Sequence, residues 1–207
     1  MGPGLHRETP VPVRLPQPRV IAMGGSAGGI RAAVEILSRL PADFPVPILF
    51  VLHLSAVMPS RLAEVLAFKT KLRVKWAQWG EKAQPGTVHV APPDRHLLLQ
   101  PNGRLALCDS DRVNYWRPAV DRLFESVAIA AGAGSIGVVL SGSLFDGMRG
   151  IAAIRDAGGL TIAQSELSSD HFEMPCAAID QSRADIVLSP AKIAEALIVA
   201  SEVDFAA

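Results

Sequence analysis

Cysteine and aromatic residues are scarce in this 207-residue chain: two cysteines, one tyrosine, three tryptophans, and 5% aromatics in all. Cys108 and Cys176 form no C-x-x-C pair, so neither a disulfide framework nor a zinc site is expected, and Cys108 falls in an apolar alternation that suits a small buried thiol. No sign of charge dominates either. Lys plus Arg is 20, Asp plus Glu is 20, and no basic block occurs, which argues against capture of nucleic acid or of an anionic membrane. Long apolar runs are missing too: stretches such as Ile48 to Leu52 and Ala196 to Ala200 fall far short of the ~20 residues that cross a bilayer. The N-terminus lacks the apolar stretch of a secretory signal and carries Pro3, Pro10, Pro12, Pro16 and Pro18. Residues 1–18 therefore read as a flexible tail on a cytoplasmic protein, and 19–207 as one domain. Hydrophobic residues are plentiful, at 49%, and supply an ample core.

From Arg19 onward, short apolar runs alternate with longer stretches of helical period, the mark of an α/β fold with a doubly wound, mostly parallel sheet. Strands are predicted at Arg19 to Met23, Pro47 to Leu52, Leu72 to Ala77, Thr87 to Ala91, Ser135 to Leu140, Leu160 to Ala163 and Asp185 to Leu188. Helices are predicted at Gly29 to Leu40, Pro59 to Phe68, Pro118 to Ala131, Gly147 to Ala157, Pro175 to Ser182 and Pro190 to Glu202. Proline suits the first helical turn, where its missing N–H would be unpaired anyway. Asn102-Gly103, between two apolar runs in His96 to Cys108, predicts an antiparallel hairpin inserted into the parallel sheet.

The sharpest local feature is Met23-Gly-Gly-Ser-Ala-Gly-Gly29, between the first strand and the first helix. A dinucleotide fingerprint G-x-G-x-x-G fails there, because Ser26 stands where a glycine is needed and the second strand ends in His53 rather than an acid. The same residues match G-x-S-x-G, a turn that lifts a serine hydroxyl to the mouth of a sheet; the competing reading is a glycine-rich turn with an N-capping serine. Residues that follow different parallel strands converge on one edge of the sheet. Ser26 follows the first strand, His53 ends the second and Asp146 follows the fifth, and together they form a nucleophile, a base and an orienting acid. Taken singly, His53 reads as structural and Asp146 as the cap of the helix beginning at Gly147. His171 is a rival base, disfavoured because the α/β-hydrolase order it implies places several strands before the serine. His89 and His96 have no ligand-type spacing around them, and no metal is expected.

With these residues in hand, the chain resembles the catalytic domain of the CheB-type protein-glutamate methylesterases over essentially everything after the proline-rich tail. The resemblance rests on Gly24 to Gly29, Val51-Leu-His53, Val90-Ala-Pro-Pro-Asp-Arg-His96, Asn114-Tyr-Trp-Arg-Pro-Ala-Val-Asp-Arg-Leu-Phe124, Leu140-Ser-Gly-Ser-Leu-Phe-Asp-Gly147 and Phe172-Glu-Met-Pro-Cys-Ala-Ala178. It implies a Ser-His-Asp triad on Ser26, His53 and Asp146 and an oxyanion and substrate pocket at Ala27, Gly28, Ser143 and Leu144. It implies no cofactor. Members of the family hydrolyse glutamyl methyl esters on the cytoplasmic helices of chemoreceptors, releasing methanol, and some deamidate glutamine there. Three departures are visible. Ala27 stands for the usual Thr, Gly142-Ser-Leu144 for Gly-Met-Gly, and Leu52 with Leu54-Ser55 for the residues flanking the histidine; Trp116 also stands where His is usual. A phosphoacceptor receiver domain, typical of the family, has no counterpart before Arg19, so a separate regulator is expected. A receptor-docking module without turnover and a small-molecule esterase remain alternatives.

Overall fold

A computed structural model describes residues 19–54, 60–180 and 183–202. The elements run β1 (Val20–Gly25), α1 (Gly29–Leu37), β2 (Ile48–Leu52), α2 (Leu62–Lys69), β3 (Arg73–Trp76) and β4 (Thr87–Val90). Then come β5 (His96–Leu99), β6 (Leu105–Cys108), α3 (Val120–Ala131), β7 (Ser135–Val139), α4 (Met148–Asp156), β8 (Leu160–Gln164), α5 (Glu173–Ile179), β9 (Ile186–Leu188) and α6 (Pro190–Glu202). The 1–18 tail and the predicted helix limits Pro59 and Ser182 lie outside the described residues.

Seven strands form one wholly parallel sheet in the order β3-β4-β2-β1-β7-β8-β9. Both faces are covered, which is why the strands are short apolar runs and not polar-apolar alternations. Side chains still alternate between two cores. Ile21, Met23, Ile48, Phe50 and Leu52 pack with Ile36 and Leu37 of α1 and Ile193 and Leu197 of α6. Val20, Ala22, Leu49 and Val51 pack with Val120, Phe124 and Val127 of α3 and Ile151 and Ile154 of α4.

The predicted hairpin forms around Asn102-Gly103, but β5 and β6 make their own two-stranded antiparallel sheet, separate from the parallel one. Leu97, Leu99 and Leu105 explain this: they are buried in the same core as α3, so the hairpin packs on a helix and leaves the edge of the large sheet alone. Cys108, at the end of β6, is half-exposed, not buried, and both cysteines are free. Proline opens α6 at Pro190, whereas α5 starts two residues before Pro175 and α3 two residues after Pro118.

The chain leaves β1 towards β2 on one side and returns much later as β7 on the other. That reversal opens a crevice at the carboxyl ends of β2, β1 and β7, where open α/β sheets bind their ligands.

Candidate active site

Ser26 sits in the turn from β1 to α1. Its N–H donates to the Ser141 carbonyl at 3.0 Å and its carbonyl accepts from the Gly29 N–H at 2.9 Å. The glycines around it answer to space and conformation. A Cβ on Gly24 would run into the Val120 side chain, and Gly28 lies in left-handed backbone at φ +78°, where a Cβ would come within 2.5 Å of Ser141 Oγ. Ser26 itself remains half-exposed.

His53 lies beside this turn because of strand register. Gly25 of β1 pairs with Leu52 of β2, so the next residues, Ser26 and His53, leave the sheet side by side, and the His53 N–H still donates to the Gly25 carbonyl at 3.2 Å. Its imidazole Nε2 donates to Asp146 Oδ2 at 2.7 Å, with both side chains 1% exposed. Nδ1 is buried and has no hydrogen-bond partner, so the Ser26 hydroxyl is not bonded to it in this arrangement. Contacts of this kind commonly tighten only with substrate in place.

Asp146 is held by donors from three directions. Oδ2 also accepts from the Val120 N–H at 2.7 Å, while Oδ1 accepts from the Asp121 N–H at 3.1 Å, the Gly147 N–H at 3.0 Å and Asn114 Nδ2 at 3.2 Å. Burial pushes the carboxyl up, but the His53 bond and charge and the N–H groups of Val120 and Asp121 outweigh it and hold it below the usual carboxylate range. Asp146 therefore does cap a helix. The helix is α3, reached across space, with Val120 and Asp121 as its first residues.

Four more residues complete the surroundings; sequence reasoning marked Trp116 as a departure from the family but gave none of the four a contact in the site. Asn114 Nδ2 bridges Asp146 to Asp121 Oδ2, the latter at 2.9 Å. Asp121, 1% exposed, accepts the Gly150 N–H at 2.8 Å, and burial with the nearby Asp146 charge pushes its carboxyl up. Trp116 stacks on His53, ring centroids 4.2 Å apart and planes within 9°. Ser141 joins two loops, its Oγ donating to the Ala27 carbonyl at 2.8 Å and accepting the His171 N–H at 2.9 Å. All four lie within segments that carry the family resemblance, but no spacing rule marks their contacts.

Around the remaining expected positions the arrangement is mixed. Ala27 and Gly28 sit at the exposed lip of the serine turn. Ser143 Oγ lies 3.5 Å from His171 Nδ1, and the Leu144 N–H is already taken by Glu173 Oε2 at 2.9 Å. The rival His171 thus contacts Ser143, and Asp146 is occupied by His53. His89 is buried, donating from Nδ1 to Glu81 Oε1 at 3.2 Å and accepting the Gln84 N–H at Nε2; burial holds it below the usual imidazole range. His96 is likewise buried, accepting the Ala119 N–H at Nδ1 and donating to the Asp111 carbonyl. Both imidazoles are satisfied structural groups. Among the described residues no cluster of three His, Cys, Asp or Glu could hold a metal ion, and no helix is long and apolar enough to cross a membrane.

Comparison with known proteins gives concordant matches. Residues 21–197 match the family described as CheB methylesterase. The chain is 43% identical over 187 residues to protein-glutamate methylesterase/protein-glutamine glutaminase 3 of Anaeromyxobacter dehalogenans, covering 90% of this chain but 55% of that protein. A putative protein-glutamate methylesterase/protein-glutamine glutaminase of Leptospira interrogans is 38% identical, over 86% of this chain and 92% of that one. The crystal structure of the Thermotoga maritima CheB methylesterase catalytic domain superposes with a TM-score of 0.84 at 37% identity, covering 88% of this chain and 98% of that one.

Proposed function

The chain belongs to the CheB methylesterase family, and on that premise we propose that it hydrolyses glutamyl γ-methyl esters on chemoreceptor helices, with Ser26 as nucleophile, His53 as base and Asp146 as orienting acid. The carrying observation is His53: its Nε2 is committed to a buried carboxylate, its Nδ1 is buried and unpartnered, and the residue leaves the sheet beside Ser26.

In this reading Ser26 Oγ attacks the ester carbonyl carbon as its proton passes to His53 Nδ1. The imidazolium is stabilised by Asp146, whose low pKa keeps it ionised. Collapse of the tetrahedral intermediate breaks the bond to the methoxy oxygen, which takes the proton from Nδ1 and leaves as methanol. Water then attacks the acyl-serine by the same route, giving the free glutamate and restoring Ser26. The N–H groups of Ala27 and Gly28, at the entry to α1, are the donors for the developing oxyanion. Leu144 is not counted among them, because its N–H is engaged by Glu173. With a glutamine side chain the same steps release ammonia.

Residues 19–207 constitute the catalytic unit in this proposal, acting from the cytoplasmic side on the receptor. Incubating the chain with methylated receptor helices and measuring methanol is the direct test. Release by the wild type and a fall of roughly 10⁴- to 10⁶-fold in Ser26→Ala are expected. Equal release by both proteins overturns the mechanism, and release from a simple aryl ester alone makes the chain a small-molecule esterase.

A further inference from the structure

Beside the site, a turn holds a bulky side chain in a conformation that disfavours it. Val113 and Trp116 exchange backbone hydrogen bonds of 3.0 and 2.8 Å, and the two residues between them have φ +49° (Asn114) and +73° (Tyr115). This is a two-residue hairpin turn of the type usually filled by Asn-Gly. Asn114 suits the first position, and its side chain turns inward to Asp121 and Asp146. Tyr115 does not suit the second, where a bulky residue is an outlier. Tyr115 is 78% exposed, so no buried packing compensates.

The chain that follows the turn is anchored. Arg117 binds Asp94 through Nε at 2.9 Å and the carbonyls of Asp109 and Ser110 through Nη1. His96 takes the Ala119 N–H. Strain that surroundings impose in this way collects at ligand clamps. Tyr115 also shares an open cavity of about 610 Å³ with Arg112, Asn114 and Phe145. Phe145 precedes Asp146 in the chain, and Asn114 touches its carboxylate. A methyl ester fills little of that space, and the two rings supply an apolar part of the wall, beside Arg112 and Asn114, for something larger.

We propose that Tyr115 is a specificity-determining residue, held at the mouth of the His53–Asp146 site to contact apolar side chains flanking the ester-bearing glutamate of a polypeptide substrate. The inference rests on the esterase reading above and adds to it the residue that favours polypeptide over small esters.

The test uses the full chain with Tyr115→Gly and Tyr115→Phe. Tyr115→Gly relieves the backbone and should raise Tm by a few degrees, so loss of fold does not obscure the result. It should lower kcat/KM on methylated receptor helices about tenfold relative to an aryl ester, through KM. Tyr115→Phe should restore the wild-type preference. A wild-type KM on the polypeptide for Tyr115→Gly overturns the proposal, as does an equal loss of kcat on both substrates. Absence of methanol release by the wild type would sink the esterase reading itself, a failure seen before any variant is compared.

Discussion

The indole of Trp116 lies flat against the imidazole of His53, so the residue that follows β2 is stacked on one from the segment that precedes α3. A ring clamped on one face and hydrogen-bonded at Nε2 has little freedom to rotate, so Nδ1 is held in one place, buried and unpartnered.

Trp116→Leu keeps an apolar filler but removes the flat partner. Turnover should fall about 10- to 100-fold with KM little changed, the scale expected when a reacting group is misplaced by an ångström. Trp116→Phe, which retains an aromatic face, should keep most of the activity. Steady-state kinetics on the two variants separates stacking from simple space filling.

Of the two histidines near the crevice, His53 should matter far more. His53→Ala should approach the loss seen for Ser26→Ala, because the pair acts as a unit. His171→Ala removes an exposed ring whose contact is Ser143 at 3.5 Å, and its rate should stay within a few-fold of wild type. The reverse order, measured as methanol release, would reassign the base.

Asp146→Asn distinguishes an orienting acid from a cap. As a plain helix cap, asparagine nearly equals aspartate. Here each oxygen faces only donors, two at Oδ2 and three at Oδ1, so an amide must point its NH₂ at N–H groups. Turnover should fall on the order of 10⁴, by analogy with the serine proteases. Stability should fall as well, by about 1–3 kcal/mol. Rate and melting temperature on this one variant report both roles.

The same carboxylate sets a pH dependence of stability. Its folded pKa is depressed, so its contribution is fully present above the unfolded carboxylate value and is lost as pH falls through the lower, folded one. The Tm difference between wild type and Asp146→Asn should therefore hold from neutral pH down to the ordinary carboxylate value and narrow as pH falls from there through the lower, folded one. Asp121, with its pKa raised by burial, works in the opposite sense: its ionisation costs stability as pH rises from the unfolded value through the folded one. Thermal melts across the acid range check the sign.

The positions of Ser26 and His53 were readable from sequence because parallel-strand register is local arithmetic: each directly follows its strand, and the strands are neighbours. The hairpin was readable from Asn102-Gly103, but its separation from the large sheet was not, since that depends on Leu97, Leu99 and Leu105 finding α3. Asp146 looked like the cap of the helix that follows it. Its main backbone partners, Val120 and Asp121, lie more than twenty residues upstream, and no spacing connects them. Trp116, Asn114 and Ser141 act through contacts between loops, and Asp121 through one between α3 and α4, all of which leave no periodic signal in a single sequence.

Because the central strand β1 pairs on one side with β2 and on the other with β7, the order of synthesis separates the parts of the site. Ser26 and His53 emerge early from the ribosome, whereas Asp146 and the strand that delivers it come only after α3 and the hairpin have been made. A nascent chain that stops short of β7 holds a serine turn and a histidine with no carboxylate to fix the imidazole. The pairing of distant strands is slow compared with local helix formation. Incomplete or truncated chains would thus lack hydrolytic competence, and the chemistry would begin only when the sheet closes around β1.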